Sequence, residues 1–286
     1  MADPLISVTE LAAALEAEHP PLVLDVRWAL GGPPGRQEHE AGHVPGAVYV
    51  DLDTELAAPA GDGLGRHPLP EPAALQAAAR SWGLRAGRAV VAYDAVGNLS
   101  AARVWWLLRW AGHDDVRLLD GGIAAWRDAG LPVETGSRRP EPGDVELSAG
   151  RLATLEVEDV EKFVTDGGLL LDARSGERYR GDVASIDPKP GHVPGAVSAP
   201  TVDNLTDTGR FRDRAELVRR FAELGVGDGR PVGVYCGSGV TATHQIAALA
   251  LAGVEDVVLY PGSWSQWATL PDRPVATGPE PGRFEG

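Results

Sequence analysis

The sequence predicts an α/β protein made of two tandem domains, each a parallel sheet with helices on both faces. The first observation is a heptapeptide, Gly-His-Val-Pro-Gly-Ala-Val, which occurs at 42–48 and again unchanged at 191–197. The second is that short apolar runs alternate with helical patterns in both halves, as they do in parallel sheets with crossover helices. Because the second heptapeptide begins 149 residues after the first, the repeats indicate a duplicated domain, since solenoid repeats are far shorter.

The predicted elements follow one another in the same order in both repeats. Helix N-termini are marked by two capping boxes, Ser7 with Glu10 and Asp213 with Glu216. The matched strands and turns are 22–27 with 170–174, 89–94 with 231–236, and 119–122 with 260–263. Apolar residues at helical spacing predict helices over 101–110 and 242–250, and each stretch ends shortly before a glycine.

Composition indicates where one domain ends and the next begins. Residues 136–150 contain two prolines, three glycines and scattered charges, a composition typical of a linker. We therefore expect an N-terminal domain over 1–135, a linker over 136–150 and a C-terminal domain over 151–286.

Overall charge and cysteine content exclude several classes of protein. The chain has 26 basic and 41 acidic residues, a net charge of −15, which argues against a nucleic-acid or anionic membrane surface. A single cysteine excludes an intramolecular disulfide, a CxxC redox pair and a zinc site built on cysteines. Residues 1–18 lack a signal-peptide pattern, and no uncharged apolar run is long enough to span a bilayer. We expect a soluble cytoplasmic protein that binds neither nucleic acid nor membrane.

That single cysteine, Cys236, is the candidate nucleophile. It ends a predicted strand and opens the loop Cys-Gly-Ser-Gly-Val-Thr in front of a predicted helix. Backbone N–H groups and the positive end of a helix favour the thiolate, which is the nucleophilic form. A buried free cysteine more often packs as a small apolar residue, but the glycines and hydroxyl residues behind Cys236 do not suit that role. The first repeat has Asp94 at the equivalent place, so we expect it to be a catalytically silent scaffold.

Taken together, these motifs resemble the tandem-domain sulfurtransferases of the rhodanese superfamily over essentially the whole chain. The resemblance rests on the two Gly-His-Val-Pro-Gly-Ala segments, the Leu-Asp-Gly-Gly turn followed by Trp126, and Cys236 in a six-residue loop. The loop is most similar to that of 3-mercaptopyruvate sulfurtransferases, because thiosulfate-using relatives usually carry basic residues where this chain has Gly237 and Ser238.

The resemblance implies two rhodanese-like domains and a covalent mechanism. Cys236 would take a sulfur atom from 3-mercaptopyruvate as a persulfide and release pyruvate. The persulfide would then pass its sulfur to cyanide or to a thiol, for example that of a thioredoxin-like protein. No metal or organic cofactor is implied.

The resemblance also assigns side chains around the thiol. Because the leaving enolate of pyruvate needs a proton, it implies a relay of Ser238 with His67 and Asp53 from the N-terminal domain. Arg178 would bind the substrate carboxylate, which matches the fork of a guanidinium. The loop residues that would hold the substrate or persulfide, chiefly through backbone N–H groups, are Gly237, Gly239, Val240 and Thr241. A second arginine, common in the family before the second heptapeptide, is missing, and Lys189 is expected to substitute for it in part, as a point charge.

Two other functions stay open at this level. One is thiosulfate sulfurtransferase activity, which the charge count disfavours, since Arg178 alone suits a monoanion better than the thiosulfate dianion. The other is a non-catalytic sulfur-relay or binding scaffold, since the first repeat lacks a nucleophile. A phosphatase is close to excluded, because the arginine that would hold a phosphoryl group is replaced by Ala242.

Overall fold

The computed structural model describes residues 3–183 and 186–284, which divide into two compact units. Unit 1 consists of Met1–Ala58, Leu69–Leu152 and Thr206–Phe211, and unit 2 consists of Pro59–Pro68, Ala153–Leu205 and Arg212–Gly286. Each unit has its own parallel sheet and its own hydrophobic core. The predicted α/β class with two parallel-sheet domains is confirmed.

The predicted bounds of the domains, 1–135 and 151–286, remain a prediction. Pro59–Pro68 belongs to unit 2 although it lies within the first repeat, and Thr206–Phe211 belongs to unit 1. The expected linker, 136–150, groups with unit 1, where the Gly143 N–H donates to the Arg80 carbonyl at 2.7 Å. The outermost residues of both predicted domains, 1–2 and 285–286, lie outside the described residues.

Unit 1 is built on a sheet whose described strands pair in parallel. Its elements are β1 (Leu5–Ile6), α1 (Val8–Leu15), β2 (Leu22–Asp25), α2 (Gly35–Ala41), β3 (Val48–Tyr49), α3 (Leu52–Glu55), α4 (Pro72–Ser81), β4 (Val90–Tyr93), α5 (Ala101–Trp110), β5 (Val116–Leu119) and α6 (Gly122–Asp128). The spatial order of the strands is β1-β5-β4-β2-β3. Every residue of β2 and β4 is buried, so both faces of the sheet are covered.

Unit 2 has the same arrangement with one strand fewer among its described elements. These are α7 (Val160–Thr165), β6 (Leu169–Asp172), α8 (Gly176–Arg180), β7 (Val197–Ser198), a 3₁₀ helix (Thr201–Asn204), α9 (Arg214–Glu223), β8 (Val232–Tyr235), α10 (Thr241–Leu251), β9 (Val257–Leu259) and α11 (Ser263–Trp267). The spatial order is β7-β6-β8-β9, again parallel. An isolated parallel bridge between Thr154 and Leu259 stands where β1 lies in unit 1.

The sequence-based helix signals are confirmed where they were most specific. Both capping boxes form: Ser7 Oγ accepts from the Glu10 N–H at 3.2 Å, and Asp213 Oδ1 accepts from the Glu216 N–H at 2.8 Å. The predicted helix over 101–110 is α5, and the one over 242–250 extends by one residue at each end as α10. None of the described helices combines the length and apolar character needed to cross a bilayer.

A buried ion pair at the end of the second strand recurs in both units. In unit 2, Arg174 Nε donates to Asp172 Oδ1 at 2.9 Å, and its Nη2 donates to the carbonyl of Gly191 at 2.8 Å. Burial opposes the charge of Arg174, but the attraction of Asp172 raises its pKa above the ordinary value. Asp25 and Arg27 form the same pair in unit 1. Because the unit without a cysteine has it too, the pair is part of the scaffold that fixes the heptapeptide turn.

The repeated histidines and tryptophans are also scaffold residues. Nδ1 of His43 and of His192 each lies 2.8 Å from a backbone carbonyl oxygen, and both rings are buried. Nε1 of Trp126 and of Trp267 each donates at 2.8 Å to the carbonyl of a proline further along the chain. Because these residues make the same contacts in the unit without a cysteine, a packing role explains them and a catalytic role is not needed.

Candidate functional site

The candidate nucleophile lies at the carboxyl end of a central strand. Cys236 directly follows β8, which pairs with β6 on one side and β9 on the other, and the residue is 1% exposed. Its N–H donates to Ser263 Oγ at 3.1 Å, and its carbonyl accepts from the Trp264 N–H at 3.0 Å. Loops at this edge of an open parallel sheet are where ligands bind in α/β proteins. Cys236 is therefore held between β8 and the start of α11, close to the N-terminus of α10.

Two glycines lie in the loop behind Cys236, and backbone conformation requires one of them. Gly239 has φ +78°, in the left-handed region that other residues rarely adopt. At Gly237 a Cβ would lie 3.3 Å from Nη2 of Arg66 and 3.6 Å from Nη2 of Arg178, the ends of two flexible side chains. Two guanidinium groups thus lie beside the residue that follows the cysteine.

Ser238 and His67, both predicted site residues, lie together. His67 Nδ1 is 2.8 Å from Ser238 Oγ, and each residue is 8% exposed. The hydrogen bond can run in either direction according to the tautomer of His67. A proton can pass along such a bond. The pair can therefore deliver or accept a proton at Ser238, two residues after Cys236.

The segment that carries His67 is fixed to unit 2 by its neighbours. Gln266 Nε2 donates to the carbonyl of Gly63 at 2.7 Å. The Arg66 N–H donates to Ser265 Oγ at 3.0 Å. These bonds join Pro59–Pro68 to α11, which also holds the carbonyl of Cys236. His67 and the cysteine loop are thus positioned by the same short helix.

Asp53, the third predicted member of the relay, lies in α3 of unit 1. Asp51 caps this helix by accepting from the N–H of Asp53 at 3.1 Å. The Asp53 Oδ2 atom accepts from Nε1 of Trp28 at 3.0 Å. Its partnership with His67 remains a prediction.

Beside Gly237 lies an ion-pair cluster that the sequence analysis found only in part. Arg178, the predicted carboxylate ligand, is in α8, and its Nη2 lies 3.6 Å from Oδ2 of Asp187. Arg66 Nη1 pairs with Oδ1 of the same aspartate, and its Nη2 donates to the Gly237 carbonyl at 3.2 Å. Sequence analysis missed Arg66 and Asp187. The one available signal for Arg66 was its place directly before His67.

The expected role of Lys189 is wrong. Its Nζ donates to three backbone carbonyls, those of Leu270 at 2.7 Å, Pro271 at 3.2 Å and Arg273 at 3.2 Å. A lysine ammonium has three N–H bonds, so these contacts occupy all of its donors. Lys189 holds the backbone after α11 in place through these hydrogen bonds and does not replace the missing second arginine.

The equivalent loop in unit 1 is closed on its own aspartate. Oδ1 of Asp94 accepts from the N–H groups of Val96 and Asn98, and Oδ2 accepts from those of Ser100 and Ala101, all within 3.0 Å. Burial raises the pKa of Asp94, and the four hydrogen bonds oppose that shift. The loop also has a different shape, since Asn98 takes φ +68° and α5 begins seven residues after Asp94, compared with five for α10 after Cys236.

An open cavity of about 90 Å³ lies beside this closed loop in unit 1. Its lining is Arg27, Trp28, Ala29, Pro33, Gly35, Glu38, Ala95 and Val96. No cysteine, serine or threonine is among these residues. Unit 1 thus has an opening at the carboxyl ends of β2 and β4 whose lining offers neither a thiol nor an aliphatic hydroxyl group.

No group of three histidine, cysteine or carboxylate side chains that could hold a metal ion occurs within 3–183 and 186–284.

Comparison with known proteins gives consistent matches over nearly the whole chain. The sequence model of the rhodanese-like domain matches residues 7–129 and 156–270. A Pseudomonas aeruginosa protein named probable 3-mercaptopyruvate sulfurtransferase is 47% identical, covering 96% of this chain and 98% of that protein. A Mycobacterium tuberculosis protein, provisionally named thiosulfate sulfurtransferase SseB, is 45% identical, covering 96% of this chain and 97% of that protein.

A solved structure agrees with these sequence matches. The crystal structure of SseA from Escherichia coli, described for 3-mercaptopyruvate sulfotransferases, superimposes with a TM-score of 0.83 at 31% identity. The match covers 92% of this chain and 100% of that one. Two sulfur donors, mercaptopyruvate and thiosulfate, therefore occur in the names of similar proteins.

Proposed function

This chain belongs to the rhodanese family, and we propose that it is a sulfurtransferase that moves sulfur from 3-mercaptopyruvate through a persulfide on Cys236. The observation that carries the choice of donor is the 2.8 Å contact between Ser238 Oγ and His67 Nδ1. This contact provides a proton path beside the nucleophile. Transfer from mercaptopyruvate needs such a path, because its leaving group is a carbanion equivalent, whereas transfer from thiosulfate releases sulfite and needs none.

In the first step, the Cys236 thiolate attacks the sulfur of 3-mercaptopyruvate. The new S–S bond forms as the C–S bond breaks, and its electron pair leaves with the enolate of pyruvate. Ser238 and His67 transfer a proton to the enolate carbon, and the hydrogen originally on the substrate thiol is released from the persulfide. The products are a Cys236 persulfide anion and pyruvate, so atoms and charge balance. Asp53 is proposed to orient the ring of His67, as the third member of such relays does.

Substrate is held by charge and by the loop. Arg178 binds the carboxylate of 3-mercaptopyruvate, which a guanidinium can contact with two hydrogen bonds. The loop residues Gly237, Gly239, Val240 and Thr241 hold the reacting sulfur, helped by the positive end of α10.

In the second step, the persulfide gives its outer sulfur to an acceptor. Attack by cyanide forms thiocyanate, and attack by a thiol forms an acceptor persulfide; each regenerates the Cys236 thiolate. A small protein thiol of the thioredoxin-like kind is our proposed physiological acceptor. We place the reaction in the reducing cytoplasm, where an unpaired thiol persists.

Thiosulfate sulfurtransferase activity is the second candidate function. Arg66, which the sequence analysis missed, is a second cation beside Gly237 and favours a dianion more than Arg178 alone would. A non-catalytic scaffold is the weaker candidate. Retention of Cys236, Ser238 and His67 in one cluster argues against it, since unit 1 shows how a loop without the cysteine closes on itself.

The proposed function is tested by comparing the two donors with one acceptor. We expect 3-mercaptopyruvate to add one sulfur atom to Cys236, detected by intact mass, and to give kcat/KM about tenfold or more above that for thiosulfate. Equal or better turnover with thiosulfate would select the second candidate. A chain that gains no sulfur from either donor would be a scaffold.

Replacing Arg178 with alanine should raise KM for 3-mercaptopyruvate about 10- to 150-fold, with a smaller change in kcat. The expectation follows from loss of a charge-assisted hydrogen bond to the carboxylate, worth about 1.5–3 kcal/mol. Steady-state kinetics would measure it. Arg180→Ala is the matched control, because Arg180 lies on the same helix and pairs with the exposed Asp182. Similar KM values for the two variants would remove Arg178 from the substrate site.

A further inference from the structure

We propose that Asp187 sets the donor specificity of this site by holding Arg66 and Arg178 beside Gly237 and cancelling one of their two charges. The inference rests on the proposed function and concerns its substrate class. A site with one net positive charge selects a monoanionic 3-mercapto-2-oxo acid over the thiosulfate dianion.

Asp187 is placed to bridge the two arginines. Its side chain is 2% exposed, whereas those of Arg66 and Arg178 are 28% and 30% exposed. Each carboxylate oxygen has its own partner: Oδ1 pairs with Nη1 of Arg66, and Oδ2 lies 3.6 Å from Nη2 of Arg178. The buried carboxylate therefore anchors two partly exposed cations. Each guanidinium has five N–H donors, so these contacts leave further donors for a substrate.

The two guanidinium groups lie beside the residue that follows the nucleophile. A Cβ on Gly237, the residue directly after Cys236, would lie 3.3 Å from Nη2 of Arg66 and 3.6 Å from Nη2 of Arg178. Arg66 also donates to the carbonyl of Gly237 at 3.2 Å. An anionic donor that reaches Cys236 therefore meets both cations.

The charge balance follows from these contacts. Two guanidinium groups and one carboxylate carry one net positive charge among themselves, and the Lys189 ammonium donates to three backbone carbonyls and not to this cluster. The carboxylate of 3-mercaptopyruvate would neutralise that charge. Thiosulfate would leave one negative charge uncompensated in a partly desolvated site, which is unfavourable.

The test is Asp187→Asn, which keeps the shape of the side chain and removes its charge. We expect the ratio of kcat/KM for thiosulfate to that for 3-mercaptopyruvate to rise about tenfold or more, mainly through a lower KM for thiosulfate. The control is Asp182→Asn, an exposed carboxylate five residues earlier whose loss should leave the ratio unchanged. An unchanged ratio in folded Asp187→Asn protein would overturn the inference.

A second variant separates net charge from geometry. Arg66→Gln combined with Asp187→Asn removes both partners of one pair, which buried sites tolerate better than loss of one partner. Its net charge equals that of the wild type, so we expect a ratio within about threefold of the wild type. A tenfold rise would overturn the inference, and this holds even where Asp187→Asn alone does not fold. Failure of the proposed function would show differently, as a wild-type chain that forms no persulfide from 3-mercaptopyruvate.

Discussion

Replacing Cys236 with serine should abolish sulfur transfer from both donors, a loss of about 10⁴-fold or more. A serine hydroxyl is not appreciably ionised near neutral pH and cannot form a persulfide, so the covalent route is lost. The fold should persist, because serine is nearly the same size and Ser263 Oγ lies close enough to the loop to offer a polar neighbour. We expect the free energy of unfolding in urea to change by about 1 kcal/mol or less.

The chain makes this experiment clean, since Cys236 is its only cysteine. Thiol alkylation and sulfur addition, both read by intact mass, therefore have no background in the variant. Residual transfer above a few per cent of the wild-type rate, in protein shown to be folded, would contradict the assignment of Cys236 as nucleophile.

The fold could be predicted from sequence because its signals are local and occur twice. The repeated heptapeptide aligned the two halves, and the strand before Cys236 and the capping box at Asp213 could each be recognised within a few residues. The domain bounds could not be predicted in the same way. The exchange of Pro59–Pro68 and Thr206–Phe211 between the units depends on packing, which no local pattern records.

The residues of the candidate site likewise differ in whether a local sequence pattern reveals them. Cys236 and Ser238 belong to one loop, and resemblance to a family added His67. Arg66 was missed because its partner, Asp187, is 121 residues away and nothing local to either residue marks the pair. Lys189 was misjudged because a charge in the sequence does not show that its ammonium group is already bonded to three carbonyls.

Replacing His67 with glutamine should slow persulfide formation from 3-mercaptopyruvate about 10²- to 10⁴-fold, the usual contribution of a positioned acid–base group. Ser238→Ala should have a similar effect, because Ser238 Oγ and His67 Nδ1 are joined by one 2.8 Å hydrogen bond and serve the same proton transfer. Single-turnover measurement of pyruvate release, at saturating donor, isolates this step from transfer to the acceptor.

Thiosulfate provides the internal control for the relay, since sulfite leaves as a stable dianion and needs no proton. Persulfide formation from thiosulfate should therefore stay within about threefold of the wild-type rate in both variants, provided that Cys236 keeps its place. His19→Gln, an exposed histidine in unit 1, should change neither reaction. Equal losses with both donors would contradict proton transfer by this pair. They would mean instead that the contact holds the cysteine loop in shape, because a merely structural role cannot distinguish a leaving group that needs a proton from one that does not.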